Sequence, residues 1–235
     1  MGLADDIKAN AKDTFSTHWS VRDGQKVPSA KDVALGNDAV KFERATVLYA
    51  DLDQSTALVE NHHWYFAAEV YKSFLYAATR LANNAGGTVV GYDGDRVMVV
   101  FIGSSQCNDA LRCAFKINYA VKNLLQPQLE AYYKSSTFKI RHTVGLDTGL
   151  VRTVRSGARG DNDLVWIGNS ANLAAKLTAE SADHGTWITN RVYEKLNDDN
   201  KYGISNGVKV SMWKEFSWTK HNKDKIWASS WWRGI

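Results

Sequence analysis

The chain contains only two prolines, two cysteines and three methionines among its 235 residues. So little proline excludes a proline-rich linker. Cys107 and Cys113 stand six residues apart in a stretch of helical periodicity, match no metal-ligand spacing and fit a reducing, cytoplasmic setting. The histidines are scattered apart from His62-His63, so no zinc motif is visible. No apolar run approaches membrane-spanning length, and the opening MGLADDIKAN lacks an apolar signal region. The expectation is a cytoplasmic protein without a membrane partner. A net charge of +4, from 29 basic and 25 acidic residues, is too mild to imply nucleic-acid binding. No internal repeat or low-complexity tract occurs. What remains, 44% hydrophobic and 23% charged residues, suits a globular domain with one sizeable core.

Residues 1–43 read as a short polar helix and a turn-rich arm, and residues 44–235 as the main domain. The run 45–52 is the first clear strand. Residues 54–83 carry Ala67, Val70, Phe74, Ala77 and Leu81 at helical spacing. Gly86-Gly87 ends that helix. TVVGY, Asp-Gly and DRVMVVF predict a hairpin with a type I′ turn. A helix over 105–126, a strand over 138–149 and a basic loop with Arg152, Arg155 and Arg159 follow. A strand at 163–168 leads into the helix NSANLAAKL, which Asn169 or Ser170 can cap. The Trp-rich tail, 207–233, reads as a final hairpin. The order β-α-β-β-α-β predicts an α+β fold with a ferredoxin-like split βαβ core.

The first strand ends in LYADLDQST. Alternation places Tyr49 and Asp51 on one face. Asp53 lies just beyond, within reach of the next helix as a cap. Asp51 is too far for that role. Asp95, after the hairpin turn, converges on Asp51 if strand and hairpin are neighbours. Two carboxylates so close repel unless a cation separates them, and oxygen ligands of this kind suit Mg²⁺ or Mn²⁺. Asn172 and Lys176, four apart, share one face of a later helix.

Four stretches together resemble the class III nucleotidyl cyclase catalytic domain: Asp51-Leu52-Asp53-Gln54-Ser55-Thr56; Gly94-Asp95; Gly145-Leu146-Asp147-Thr148-Gly149; and Trp166-Ile167-Gly168-Asn169-Ser170-Ala171-Asn172-Leu173-Ala174-Ala175-Lys176. The resemblance implies two divalent cations held by Asp51, Asp95 and the backbone carbonyl of Leu52. It implies that Asn172 orients the ribose and that Lys176, standing where the family has arginine, faces the reacting phosphorus. It also implies a homodimer in which the metal acids come from one chain and Asn172 and Lys176 from the other.

The purine-reading positions of that family hold Gly91 and Val165 here, which cannot pair with a polar base edge. Tyr49, beside Asp51, and Arg96, beside Asp95, become the candidate base readers, and a bulky tyrosine favours a pyrimidine. The chain resembles the pyrimidine cyclases of bacterial Pycsar anti-phage systems, which implies UTP and a product that activates a separate effector; CTP, or a purine read by other residues, is the alternative. GYDGDRVMVV also resembles a diguanylate-type hairpin, but that family lacks the Asn172–Lys176 helix after a Trp-x-Gly strand end. A regulatory domain that binds nucleotide without turnover is the other alternative, favoured by Lys176 and opposed by the retained acids. The tail tryptophans read as hairpin packing, and Lys214 or another tail lysine as a candidate triphosphate contact.

Overall fold

In the computed structural model, which describes residues 2–235, the chain opens with α1 (Leu3–Ser16) and a short strand β1 (Ser20–Asp23). A 3-10 turn over Ala30–Asp32 leads into the long strand β2 (Asp38–Leu52). Two helices, α2 (Ser55–Asn61) and α3 (Trp64–Asn84), occupy the stretch read as one helix. They part at His62-His63, where the imidazole of His62 stacks on Phe66 instead of continuing the turn. The hairpin β3 (Thr88–Asp93) and β4 (Arg96–Phe101) precedes α4 (Gln106–Ala120). A π-helical turn over Val121–Leu125 joins α4 to α5 (Gln126–Tyr132).

Strand β5 (His142–Ala158) then runs far past residue 149 and pairs with β6 (Asp161–Ile167). Arg152 and Arg155 therefore lie in a strand ladder, not in a basic loop; only Arg159 sits in the turn. The chain continues through α6 (Asn169–Leu177), β7 (Thr186–Thr189), α7 (Asn190–Glu194) and α8 (Asp198–Lys201). The tail forms two hairpins rather than one: β8 (Tyr202–Ser205) with β9 (Val208–Ser211), and β10 (Lys214–Trp218) with β11 (Asp224–Ser229).

The core of the sheet has the order β5-β2-β4-β3, antiparallel throughout. With α3 and α4 as crossovers, this is the ferredoxin-like split βαβ arrangement expected. Strand β7 joins parallel to β5, and the β10–β11 hairpin extends that edge. Strand β1 pairs with the first half of β2, so residues 20–23 are part of the sheet.

Strand β2 is buried on both faces because it lies at the sheet's centre. Leu48 and Ala50 pack with Phe74, Phe101, Leu111 and Phe115 under α3 and α4. Val47 and Tyr49 point the other way, toward α6, with Met98, Val100, Ala171 and Ala174. Asp51 follows Tyr49 on this second face. The motif glycine Gly145 explains how closely α6 lies: a Cβ there would come within 2.2 Å of the Ala174 carbonyl oxygen. Its neighbour Thr148 donates to the Ala45 carbonyl at 3.1 Å, and Asp147 is buried against Thr189 and Arg191. Most of the tail tryptophans pack: Trp213 and Trp218 are buried, and Trp227 stacks on Tyr193 with centroids 3.7 Å apart, whereas Trp232 is exposed.

Candidate active site

The end of β2 meets the start of β4, with Asp51 paired to Arg96 in the ladder. The turn between β3 and β4 differs from expectation. Asp93 pairs with Arg96, so Gly94-Asp95 is the two-residue loop, and only Gly94 has positive φ, at 61°. That is the type II′ pattern, with glycine at the first central position, not type I′. It lifts Asp95 to the tip of the hairpin beside Asp51.

The electrostatics there are unfavourable for bare carboxylates. Burial, then the adjacent charge of Asp95, pushes Asp51 up to about 6, against the pull of Arg96 and a hydrogen bond from Thr178. The Thr178 hydroxyl lies 3.3 Å from Asp51 Oδ2 and 2.8 Å from the Ala175 carbonyl, which share its one proton, and Arg96 Nε stands 3.9 Å from the same carboxylate oxygen. Asp95 Oδ2 is buried with no hydrogen-bond partner. An orphaned carboxylate oxygen beside a second, proton-hungry carboxylate fits a divalent cation. Leu52, the last residue of β2, is buried and pairs with His142 in the ladder. Among the described residues no group of three His, Cys, Asp or Glu side chains gathers, so any cation here relies on two carboxylates completed by backbone or non-protein oxygens.

Next to the acids lies a cavity of about 380 Å³ walled by Tyr49, Gly91, Arg96, Met98, Val165 and Trp166. The Tyr49 hydroxyl sits 3.0 Å from Met98 Sδ, and the Arg96 guanidinium lies 5.8 Å from the Tyr49 ring centroid. Burial holds the Tyr49 phenol above its ordinary pKa, so it stays a neutral donor and acceptor. Gly91 and Val165 therefore share one pocket with the two residues proposed to replace them. Ala175 of α6 closes its far side.

Asn172 and Lys176 stand exposed on α6 and, among the described residues, make no side-chain hydrogen bond or ion pair. Among the described residues no hydrogen bond or ion pair joins either of them to Asp51 or Asp95 of the same chain. Asp53 also departs from expectation. The N-cap of α2 is Gln54, in the left-handed region, with no side-chain cap bond. The Asp53 carboxylate instead accepts from Arg141 Nε at 3.1 Å, a partner 88 positions away. The cap of α6 is Gly168, not Asn169 or Ser170, and the Ser170 hydroxyl is buried without a partner.

Residues 38–223 match the family described as the Adenylate and Guanylate cyclase catalytic domain. The chain belongs to that family. It is 48% identical to the uridylate cyclase of Burkholderia cepacia over 93% of both chains. It is 43% identical to the uridylate cyclase of Xanthomonas perforans over 99% of both. Among solved structures it superposes on the adenylyl cyclase CyaB from P. aeruginosa with a TM-score of 0.67 at 20% identity, over 81% of this chain and 95% of that one.

The cyclase domain contains one contact that sequence reasoning missed. Thr178 lies two residues past Lys176 and hydrogen-bonds Asp51. Nothing in its spacing announced this. The contact follows from the close crossing of α6 that Gly145 permits, which carries the helix C-terminus over the end of β2. Among the described residues no helix is long and apolar enough to cross a membrane.

Proposed function

We propose that this cyclase domain converts UTP to 3′,5′-cyclic UMP and pyrophosphate. The observation that carries the reading is the pocket beside Asp51, where Gly91 and Val165 offer no polar side chain and Tyr49, Arg96 and the unpaired Trp166 Nε1 can face a base together with the rim acids Asp93 and Asp163. The uridylate cyclase names of two relatives above 40% identity point the same way. A phenol and a guanidinium can pair with the carbonyl-rich edge of uracil, and a bulky Tyr49 shortens the pocket against purines. CTP is the competing pyrimidine.

In the reaction the ribose 3′-hydroxyl loses its proton, its oxygen attacks the α-phosphorus, and the bond to the β-phosphate oxygen breaks to release pyrophosphate. Two divalent cations, Mg²⁺ or Mn²⁺, held by Asp51, Asp95 and the Leu52 carbonyl, would acidify that hydroxyl and neutralise the triphosphate. Asp51 serves this role ionised. Asn172 positions the ribose, and Lys176 supplies charge at the phosphorus, without the planar fork of arginine. Their exposure on α6, unbonded to the same chain's acids, supports composite sites in a homodimer, each built from the Asp51–Asp95 end of one protomer and the α6 of the other. We further propose a cytoplasmic enzyme of anti-phage defence, whose product activates a separate effector.

The test is incubation with each of the four nucleoside triphosphates and Mn²⁺, with products identified by mass spectrometry. Cyclic UMP is the expected main product. Cyclic AMP as the sole product would overturn the pyrimidine reading, and no turnover of any triphosphate would favour a regulatory domain. Tyr49→Ala should relax base preference or lower activity while the fold persists; unchanged selectivity and kinetics would remove Tyr49 from the site.

A further inference from the structure

At the opposite end of the sheet, α4 begins over a second polar cavity. Strand β4 runs from Arg96 to Phe101, so this end lies about 17 Å from the acids at ~3.3 Å per residue. The cavity, of about 540 Å³, is walled by Arg44, Gly103, Ser104, Gln106, Asn108 and Lys195. Arg44 stands at the bulge of β2, where the register with β5 shifts between Phe42 and Ala45. Lys195 closes α7. Among the described residues neither cation has an ion-pair partner, whereas the nearby acids are already engaged: Glu43 by Lys41 at 2.7 Å and Asp109 by Arg112.

Three features make this a built cavity rather than a bare helix end. Ser105, the N-cap of the 15-residue α4, makes no side-chain cap bond, so the first amides of the helix are open. Gln106 is only 5% exposed as a residue, lines the cavity, and its side chain makes no hydrogen bond within the described residues. Asn108 fixes the second wall: its amide donates to the Lys195 carbonyl at 3.4 Å, and its Oδ1 accepts from the Asn197 N–H at 3.0 Å. Below, Cys107 Sγ lies 3.2 Å from the Thr46 hydroxyl, which closes the floor.

Two exposed, unpaired cations, a helix N-terminus and a carboxamide with no protein partner, on a residue only 5% exposed, line one space. Together they offer two full positive charges and the partial charge of the helix end, arranged around N–H donors, which suits a dianionic tetrahedral group. We propose that this cavity is a second anion site, separate from the active site, that binds a phosphate group of a small ligand. Inorganic phosphate, pyrophosphate and the phosphate tail of a nucleotide share the required chemistry. The inference stands on these residues and does not depend on the cyclase reading.

The test titrates inorganic phosphate, pyrophosphate and UTP, each in metal-free buffer, into wild type, D51N/D95N, R44A/K195A and Q106E, followed by calorimetry. At least one probe should bind wild type and D51N/D95N alike. Its affinity should fall about tenfold or more in R44A/K195A, as expected for lost charge-assisted contacts. Q106E should weaken it comparably, because a carboxylate then faces the anion. The probe that responds identifies the source: free phosphate, pyrophosphate or nucleotide. Lys195→Glu, an exposed charge reversal, carries the test should R44A/K195A fail to fold. No binding by any probe overturns the site. So does affinity unchanged in R44A/K195A and Q106E, or binding abolished by D51N/D95N alone.

Discussion

Replacing Asp51 by asparagine should stabilise the metal-free protein while abolishing turnover. The carboxylate is pushed from 3.8 up to about 6, chiefly by burial and then by Asp95. The folded state therefore holds the Asp51 proton more tightly than the unfolded chain does. Between these two pKa values, stability falls as pH rises, and above the upper one the full cost of the buried charge is present. At about 1.4 kcal/mol per unit of pKa, that cost is capped near ~3 kcal/mol. The Asp51 side chain is 23% exposed, so solvent screening brings the expected gain to about 1–2 kcal/mol. For a chain of this size that is roughly 3–6 °C in Tm. The assay is thermal unfolding of wild type and D51N with chelator, at pH 7.5 and at pH 5. His142, buried and pushed down to about 4, titrates in the same range and destabilises the fold as pH falls, but it is common to both proteins and cancels in the difference. The gap between the two proteins should be widest at pH 7.5, be about half as large at pH 5, and vanish only below the unfolded value of 3.8. Adding Mn²⁺ should raise the Tm of wild type and not that of D51N. A D51N protein no more stable than wild type at pH 7.5, or a gap that persists unchanged at pH 5, would refute the argument.

Thr178→Val removes the hydroxyl that stabilises ionised Asp51, so the acid limb of the kcat/KM–pH profile should move to higher pH with little change in Tm; a profile identical to wild type would separate Thr178 from the site. Gly145→Ala places a Cβ 2.2 Å from the Ala174 carbonyl and should cost about 1–3 kcal/mol in chemical denaturation, with a larger loss of activity than of stability, since α6 must move; normal activity with normal stability would show that the helix has room to spare.

The parts legible in the sequence were those set by local chemistry. The buried run around Leu48, the helical spacing of Val70 and Phe74, and the Asp-Gly punctuation of the hairpin were enough to order the core elements, and that order leaves few topologies. Placing Asp51 next to the hairpin then followed from the fold. What was not legible depends on partners distant in the chain. Asp53 looks like a cap until Arg141 takes it, and no local pattern foretells a residue 88 positions away. The strand identity of Arg152 and Arg155 comes from pairing with β6, which polar side chains disguise. The turn type hinged on one register step, Asp93 opposite Arg96, that the dipeptide Asp93-Gly94 does not specify. Thr178 was silent because its role arises from helix crossing, not from spacing.

Tyr49 and Asp51 alternate along β2, and Asp95 and Arg96 are consecutive at the start of β4. The groups at the base cavity and the groups at the carboxylate pair are thus interleaved within two facing strand ends. Tyr49 and Arg96 therefore cannot be exchanged as a segment without carrying Asp51 or Asp95 along, whereas the Gly91 and Val165–Trp166 walls of the same cavity lie on β3 and β6, free of those carboxylates.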